Sequence, residues 1–167
     1  MPFVELLECW LHDYPIAVIE DPLAEDDTVG MAEFTRRFGD QVTIIGDDYL
    51  VTNAALVEQA AAEGACNSVL IKVNQAGTVS EGIETYRAAR QAGWSAVVSA
   101  RSGETEDVSI SHLATGLGCG VLKVGSFQRS ERMVKWNECL RIQEQLGAEH
   151  FAGGGFLANT WWGKRYI

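Results

Sequence analysis

Basic residues are scarce in this sequence. It has 13 Lys and Arg against 23 Asp and Glu, which gives a formal net charge of -10. Surfaces that hold nucleic-acid phosphates or anionic membranes need clustered Lys and Arg. The composition therefore argues against nucleic acid and against a membrane as partner. An anionic small molecule would need a local positive site of its own.

Paired cysteines and long apolar runs are also lacking. Cys9, Cys66, Cys119 and Cys139 are widely spaced and form no CxxC pair. We expect reduced thiols rather than disulfides or a zinc site. No apolar run is long enough to span a bilayer, and residues 1–15 lack a basic stretch ahead of an apolar one. These features predict a cytoplasmic protein.

Apolar material for one sizeable core is present, with 47% hydrophobic and 22% charged residues. Five short runs are apolar and rich in β-branched residues. Continuous runs of this kind, unlike alternating ones, are typical of parallel strands covered on both faces. The runs are IAVIE ending at Glu20, VTIIGD ending at Asp47, SVLIK ending at Lys72, SAVVS ending at Ser99 and GVLK ending at Lys123.

Helical patterns alternate with these predicted strands. They cover residues 3–13, 27–38, 54–64, 79–92, 106–116 and 129–146. Successive strand ends are 27, 25, 27 and 24 residues apart, the length of one strand, loop and helix. This regularity predicts a repeating β/α unit. A closed barrel needs eight such units and about 250 residues, so five units would leave two strand edges bare. An open doubly wound sheet is the alternative.

Four of the five predicted strands end in an ionisable residue: Glu20, Asp47, Lys72 and Lys123. A single charge of this kind can simply mark the point where a buried strand meets water. Four of them favour a site, because the carboxyl ends of the strands in a β/α barrel converge on one mouth. Two acids there could hold a divalent cation, and two lysines could transfer protons or bind an anion.

These residue types are compatible with one chemistry. Mg²⁺ on Glu20 and Asp47 would coordinate a substrate carboxylate and stabilise the dianion formed when a proton leaves the adjacent carbon. A neutral lysine could remove that proton, and the pattern alone does not choose between Lys72 and Lys123. The acids that directly follow Glu20 and Asp47 are expected in supporting or loop roles, because neighbours in a strand point to opposite sides.

Five segments of the chain resemble the enolase family, in the family's order and at nearly its spacing. They are IEDPLAEDD (19–27), GDDYLVTN (46–53), LIKVNQAGTVSE (70–81), VSARSGETED (98–107) and LKVGSFQRSERMVKWNECLRIQEQLG (122–147). The similarity runs from about Tyr14 to Gly153, and SGETED together with KVNQ and RSER is highly specific. It implies a partial enolase-type (β/α) barrel over residues 1–153, followed by a C-terminal tail at 154–167.

Enolases are lyases that interconvert 2-phosphoglycerate and phosphoenolpyruvate with Mg²⁺, on a modified eight-stranded β/α barrel. The resemblance implies that Glu20 and Asp47 hold the first metal, together with a third carboxylate. It implies that Lys72 is the general base and that Lys123 binds the substrate carboxylate.

The resemblance also places Arg101 and Ser102 at the substrate phosphate, where the planar fork of arginine suits phosphate oxygens. The sequence departs from the family at Ala100, where the family has a histidine, so the chemistry or the substrate could differ. Phe127 stands where the family prefers a small loop residue, and a bulkier side chain there would reshape the pocket. His112 is interpreted as a structural or surface residue.

In the family, the part that precedes the residues matched here supplies a capping domain, the first barrel strands, the third metal carboxylate and the glutamates on the acid side of the reaction. The leading hypothesis is therefore one subunit of a split enolase-like enzyme, with a partner chain that completes the barrel. Alternatives are a non-catalytic enolase remnant that binds or assembles, an enolase paralogue of phosphonate metabolism, and a homo-oligomer that exchanges elements between copies.

Overall fold

A computed structural model describes residues 3–147 and residue 150. The predicted tail and the last residues of the predicted barrel segment lie outside this part. The elements in chain order are α1 (Phe3–Asp13), β1 (Val18–Glu20), α2 (Thr28–Phe38), β2 (Thr43–Gly46), α3 (Ala54–Glu63), β3 (Ser68–Lys72), α4 (Val73–Ala76), α5 (Val79–Gln91), β4 (Ser95–Ser99), α6 (Ser109–Gly116) and α7 (Ser130–Leu146).

The strands form one parallel sheet in the order β1-β2-β3-β4. Each strand is joined to the next through at least one helix, so the predicted β/α repeat is confirmed. The register aligns Lys72 with Ser99 at the carboxyl ends of β3 and β4. The carboxyl end of every strand therefore lies at the same edge of the sheet.

The fifth unit is shorter than the pattern suggested. Its strand is reduced to one parallel bridge between Leu122 and Val98, in which the Lys123 N–H donates to the Val98 carbonyl at 2.9 Å. Gly118 and Gly120, which precede the bridge, both have positive φ. Turn-type backbone therefore runs up to residue 120 and leaves little extended chain to pair.

Local signals account for most of the helix boundaries. The Asn53 side chain caps α3 by accepting from the backbone N–H of Ala55 at 2.9 Å, and Gly64 ends that helix in the left-handed conformation. Thr78 caps α5. α6 begins at Ser109, three residues later than its pattern suggested, and the short α4 was not predicted.

The two faces of the sheet bury different sets of residues. One face packs Ile44, Val69 and Val98 into a large cluster that contains all helical residues of the two core clusters. The other face carries a small cluster of one residue from each of three strands: Ile45, Leu70 and Val97. A doubly wound sheet would have helices on both faces. Helices on one face and a small apolar cluster on the other are typical of part of a β/α barrel.

No helix in the described part of the chain is long and apolar enough to cross a membrane. All four cysteines are free thiols, as the sequence predicts. Cys66 is buried, and burial raises the pKa of its thiol to about 12. Burial likewise raises the pKa of the Cys119 thiol to about 11. Both cysteines pack in or against the main apolar core.

Candidate active site

A buried ion pair joins the carboxyl ends of β2 and β3. Lys72 is the last residue of β3, and Asp47 follows β2 directly. The Lys72 ammonium donates to Oδ2 of Asp47, and the two side chains are only 8% and 7% exposed. Buried strand residues precede both positions, Ile45 in β2 and Ile71 in β3. A pair this far from water is stable only with both partners present.

A second ion pair crosses the whole sheet. The Lys123 ammonium donates to Oε2 of Glu20, although Glu20 ends the edge strand β1 and Lys123 follows the segment beside β4. In a flat sheet these chain segments would be four strand spacings apart, about 19 Å. The contact therefore requires a curved sheet whose two edges approach each other at the carboxyl rim, as they do in a barrel.

Asp21 ties the first two strands together at this rim. Its two carboxylate oxygens accept from the backbone N–H groups of Asp47 at 2.9 Å and Asp48 at 2.8 Å. Asp21 has a positive φ of 41°, which is unfavourable for a residue with a Cβ. Each of the three acids places one carboxylate oxygen within 4.8 Å of the others. The rim thus concentrates negative charge around Asp47.

One carboxylate oxygen of Asp47 is left unpaired within residues 3–147. This oxygen, Oδ1, is buried and accepts no hydrogen bond from any residue that the structure describes. A buried carboxylate oxygen left unpaired is costly, and such groups in native proteins usually have a ligand, an ion or water. Hard cations such as Mg²⁺ prefer carboxylate oxygens. The donor set at the ends of β1 and β2 therefore fits a divalent cation.

Arg101 and Ser102 lie in the loop after β4. The Arg101 guanidinium contacts Oδ1 of Asp48 at 3.3 Å, and its backbone N–H donates to Oδ1 of Asn74 at 3.1 Å. Arg101 is thus brought to the acidic rim, with its side chain 47% exposed and open to an anion. Ser102 is exposed in the same loop, and its carbonyl accepts from Arg132 Nη2 at 2.5 Å.

Two basic residues on α7 that sequence reasoning gave no role anchor this loop. Arg132 contacts the carbonyls of Ser102 and Val124, the latter at 3.1 Å. Lys135 is completely buried, donates to the Thr105 carbonyl and lies 3.8 Å from a carboxylate oxygen of Glu104. A lysine in an amphipathic helix is normally exposed, so the spacing of Lys135 gave no signal of its burial. For Arg132, the signal in the sequence was its place in the RSER motif at 129–132.

The residues that depart from the enolase pattern lie in different surroundings. Ala100 is half-buried and packs against the main core. Phe127 is 73% exposed, and its ring lies 5.2 Å from that of Trp136 on α7. His112 contacts Glu138 at 2.9 Å on an exposed surface, which agrees with a surface role.

The curved parallel sheet is part of a β/α barrel, and the rim of paired acids and lysines is a candidate site at the carboxyl ends of its strands. The family described as "Enolase, C-terminal TIM barrel domain" matches residues 2–160. The chain belongs to the enolase family.

Curated relatives are similar over most of this chain. The sequence is 48% identical to an enolase of Solanum lycopersicum over 153 residues, which cover 91% of this chain and 34% of that protein. It is 48% identical to an enolase of Mastigamoeba balamuthi over 150 residues, which cover 89% of this chain and 34% of that protein. It is also 48% identical to enolase 2 of Hevea brasiliensis over 153 residues, which cover 91% of this chain and 34% of that protein. The chain spans about a third of the length of these relatives.

Proposed function

We propose that this chain forms the C-terminal part of the active site of an enolase-like lyase of the cytoplasm. Its substrate would be a small phosphorylated carboxylate such as 2-phosphoglycerate or phosphoenolpyruvate. The main observation in support is the pairing of Lys72 with Asp47 and of Lys123 with Glu20 at one rim. Family membership adds a reaction class that uses these residue types.

In this proposal Glu20 and Asp47 would hold Mg²⁺. The unpaired Oδ1 of Asp47 is the reason to expect a ligand there. The cation would supply charge stabilisation for a carboxylate that gains negative charge as the neighbouring carbon loses its proton. With the two carboxylates described here, Mg²⁺ would bind weakly, because it prefers six well-placed oxygens.

Lys72 would remove the proton, and Lys123 would bind the substrate carboxylate. The assignment is supported by their exposure, since the side chain of Lys72 is 8% exposed and that of Lys123 is 46% exposed. Proton abstraction from carbon benefits from exclusion of water, whereas an anion-binding group must face the entering substrate. Arg101 and Ser102 would hold the phosphate, with Arg132 and Lys135 fixing their loop.

A partner chain would supply the capping domain and the remaining barrel strands. Within the described residues, β1 pairs with β2 alone and leaves its other edge bare. The helix before β1, α1, buries Leu7 and Leu11 but exposes Phe3 by 54% and Trp10 by 42%. These four residues recur at helical spacing on one face of α1, so the described residues cover this apolar face only in part and leave it suited to further packing.

The test is to isolate the tagged chain from its own cells with any stably bound chain, and then to separate the two. Phosphoenolpyruvate formation from 2-phosphoglycerate is measured with Mg²⁺ for the complex and for the separated chain. We expect activity in the complex alone, and its loss in Lys72→Ala and Lys123→Ala complexes. Equal activity with and without the partner would contradict the split arrangement. An inactive complex would contradict the lyase proposal.

A non-catalytic binding or assembly module is the second candidate, and Ala100 favours it. A methyl group at this position can neither transfer a proton nor bind an anion. Titration calorimetry of the complex with Mg²⁺ and phosphoenolpyruvate separates the candidates. Binding of both ligands with turnover supports the lyase, and binding without turnover supports the module. Turnover of phosphonate analogues alone would indicate a paralogue with altered chemistry.

A further inference from the structure

A strained turn lies beside the predicted base. Val51 and Thr52 have φ values of 44° and 52°, although both are β-branched. β-branched residues rarely adopt this left-handed conformation, and non-glycine residues in it persist only where the surrounding structure holds them. Thr52 is only 2% exposed. Its neighbours therefore hold it in an unfavourable backbone conformation, away from water.

The contacts of Thr52 show what this conformation achieves. The Thr52 Oγ1 accepts from the backbone N–H of Lys72 at 3.0 Å. The hydroxyl also lies within donating distance of two acceptors, Oε1 of Gln75 at 2.8 Å and the Leu70 carbonyl at 3.2 Å. The Thr52 carbonyl accepts from the Thr85 hydroxyl at 2.9 Å. The hydroxyl thus joins the end of β3 to α4 inside the protein.

The loop from Asp47 to Thr52 therefore contacts Lys72 at both ends. Its first residue binds the ammonium group, and its last binds the backbone N–H. A turn with ordinary φ values would direct the Thr52 side chain elsewhere. The residues between them are held as well, since the N–H groups of Leu50 and Val51 donate to the Asp47 carbonyl.

We infer that Thr52 is a positioning residue for Lys72: its hydroxyl fixes the end of β3 and so the direction of the lysine side chain. This role rests on the proposed function, in which Lys72 is the base. A base must be held within a few tenths of an ångström of its reacting position, and the supporting contacts set that precision.

Three variants test the contribution of the Thr52 hydroxyl separately from that of the side-chain shape. Thr52→Val keeps the β-branched form and the strain but removes the hydroxyl. Thr52→Ser keeps the hydroxyl and loses one methyl group. Thr35→Val is the matched control, because the Thr35 hydroxyl also joins two elements, by donating to the Ala65 carbonyl at 2.8 Å, but lies on α2 away from the rim.

The first measurement is the rate at which an amine-reactive reagent modifies Lys72 in the full chain, followed by peptide mass analysis. We expect Thr52→Val to raise this rate about fivefold, the factor for one lost hydrogen bond. Thr52→Ser and Thr35→Val should keep the wild-type rate, with Lys123 as internal reference. A wild-type rate in Thr52→Val, or an equal rise in Thr35→Val, would overturn the inference.

Thr52→Ala covers the case in which Thr52→Val does not fold. It removes the same hydroxyl, and alanine adopts a positive φ more readily than a β-branched residue does. Faster modification of Lys72 supports the role of Thr52, and a wild-type rate rejects it.

The second measurement is turnover by the complex with its partner. We expect Thr52→Val to lower kcat about fivefold with little change in KM, and Thr52→Ser to restore kcat. A rise in KM alone would overturn the positioning role. If the wild-type complex lacks lyase activity, the proposed function fails. The modification rates of Lys72 still decide whether Thr52 holds that side chain.

Discussion

Lys72 and Asp47 form an ion pair in which only one of the two carboxylate oxygens is used. The ammonium contacts Oδ2, while the buried Oδ1 has no donor among the described residues. The pair therefore links β3 to the loop after β2 and leaves one buried oxygen of Asp47 without a hydrogen bond from the described residues. The two ion pairs at the rim differ in burial, so breaking each of them has a different expected cost.

Asp47→Asn should lower the free energy of unfolding by about 3 kcal/mol, because it leaves the Lys72 ammonium buried without a counter-charge. Glu20→Gln is the matched control, since it breaks the other rim pair where Lys123 is 46% exposed. Exposed pairs contribute less than about 1 kcal/mol. Urea unfolding measures both. Equal losses would show that the Lys72 pair is no more buried in solution than the Lys123 pair.

The strands and their charged ends could be predicted from the sequence because each signal is local. The run SVLIK specifies a buried strand, and its final lysine marks the rim. The partners of these charges are not local. The sequence does not predict that Lys72 pairs with Asp47 rather than with Glu20, because the pairing depends on the order and curvature of the strands in the sheet. The resemblance to enolases supplied roles for the residues, and the coordinates supplied their contacts.

Other features of the site leave no periodic trace at all. The sequence pattern predicts Lys135 on the exposed face of an amphipathic helix, yet its side chain is fully buried and contacts the loop after β4. The segment YLVTN reads as an ordinary loop, yet Val51 and Thr52 are both left-handed. In each case long-range contacts override the local preference of the residue.

Gly46 is expected to be essential for the turn after β2. A Cβ at this position would lie 2.5 Å from Cδ1 of Leu50, whose side chain is 1% exposed. Gly46→Ala should therefore destabilise the protein by about 1–3 kcal/mol. Gly116→Ala is the control, because its Cβ would meet nothing within 4 Å. Thermal unfolding should show no loss for the control. A similar loss in both would contradict the steric argument.

Asp107 should lower the stability of the protein as the pH falls into the acidic range. Hydrogen bonds from the side chain and the backbone N–H of Ser109 hold the pKa of its carboxyl below the usual value. A lowered folded-state pKa contributes stability that is present above the unfolded pKa of about 3.9 and is lost as pH falls through the folded value. Asp107→Asn keeps an acceptor but does not titrate.

The urea midpoints of the wild type and of Asp107→Asn should therefore differ at neutral pH and converge as the pH falls below the folded-state pKa of Asp107. The wild type should be the more stable protein at neutral pH, where its charge also favours the amino end of α6. A difference between the two midpoints that stays constant with pH would contradict the assignment.

Lys135→Met should release the loop that carries Arg101 and Ser102. The variant keeps most of the buried volume but removes the donor to the Thr105 carbonyl and leaves the Glu104 carboxylate, 12% exposed, without its neighbouring charge. Unsatisfied buried groups cost about 1–3 kcal/mol each, so a loss of about 2 kcal/mol is expected on urea unfolding. Arg141→Gln is the control on the same helix, since the Arg141 side chain is 60% exposed. Amide hydrogen exchange should quicken across residues 101–107 in Lys135→Met alone. Unchanged exchange there, with the same loss of stability, would show that Lys135 supports α7 and not the loop.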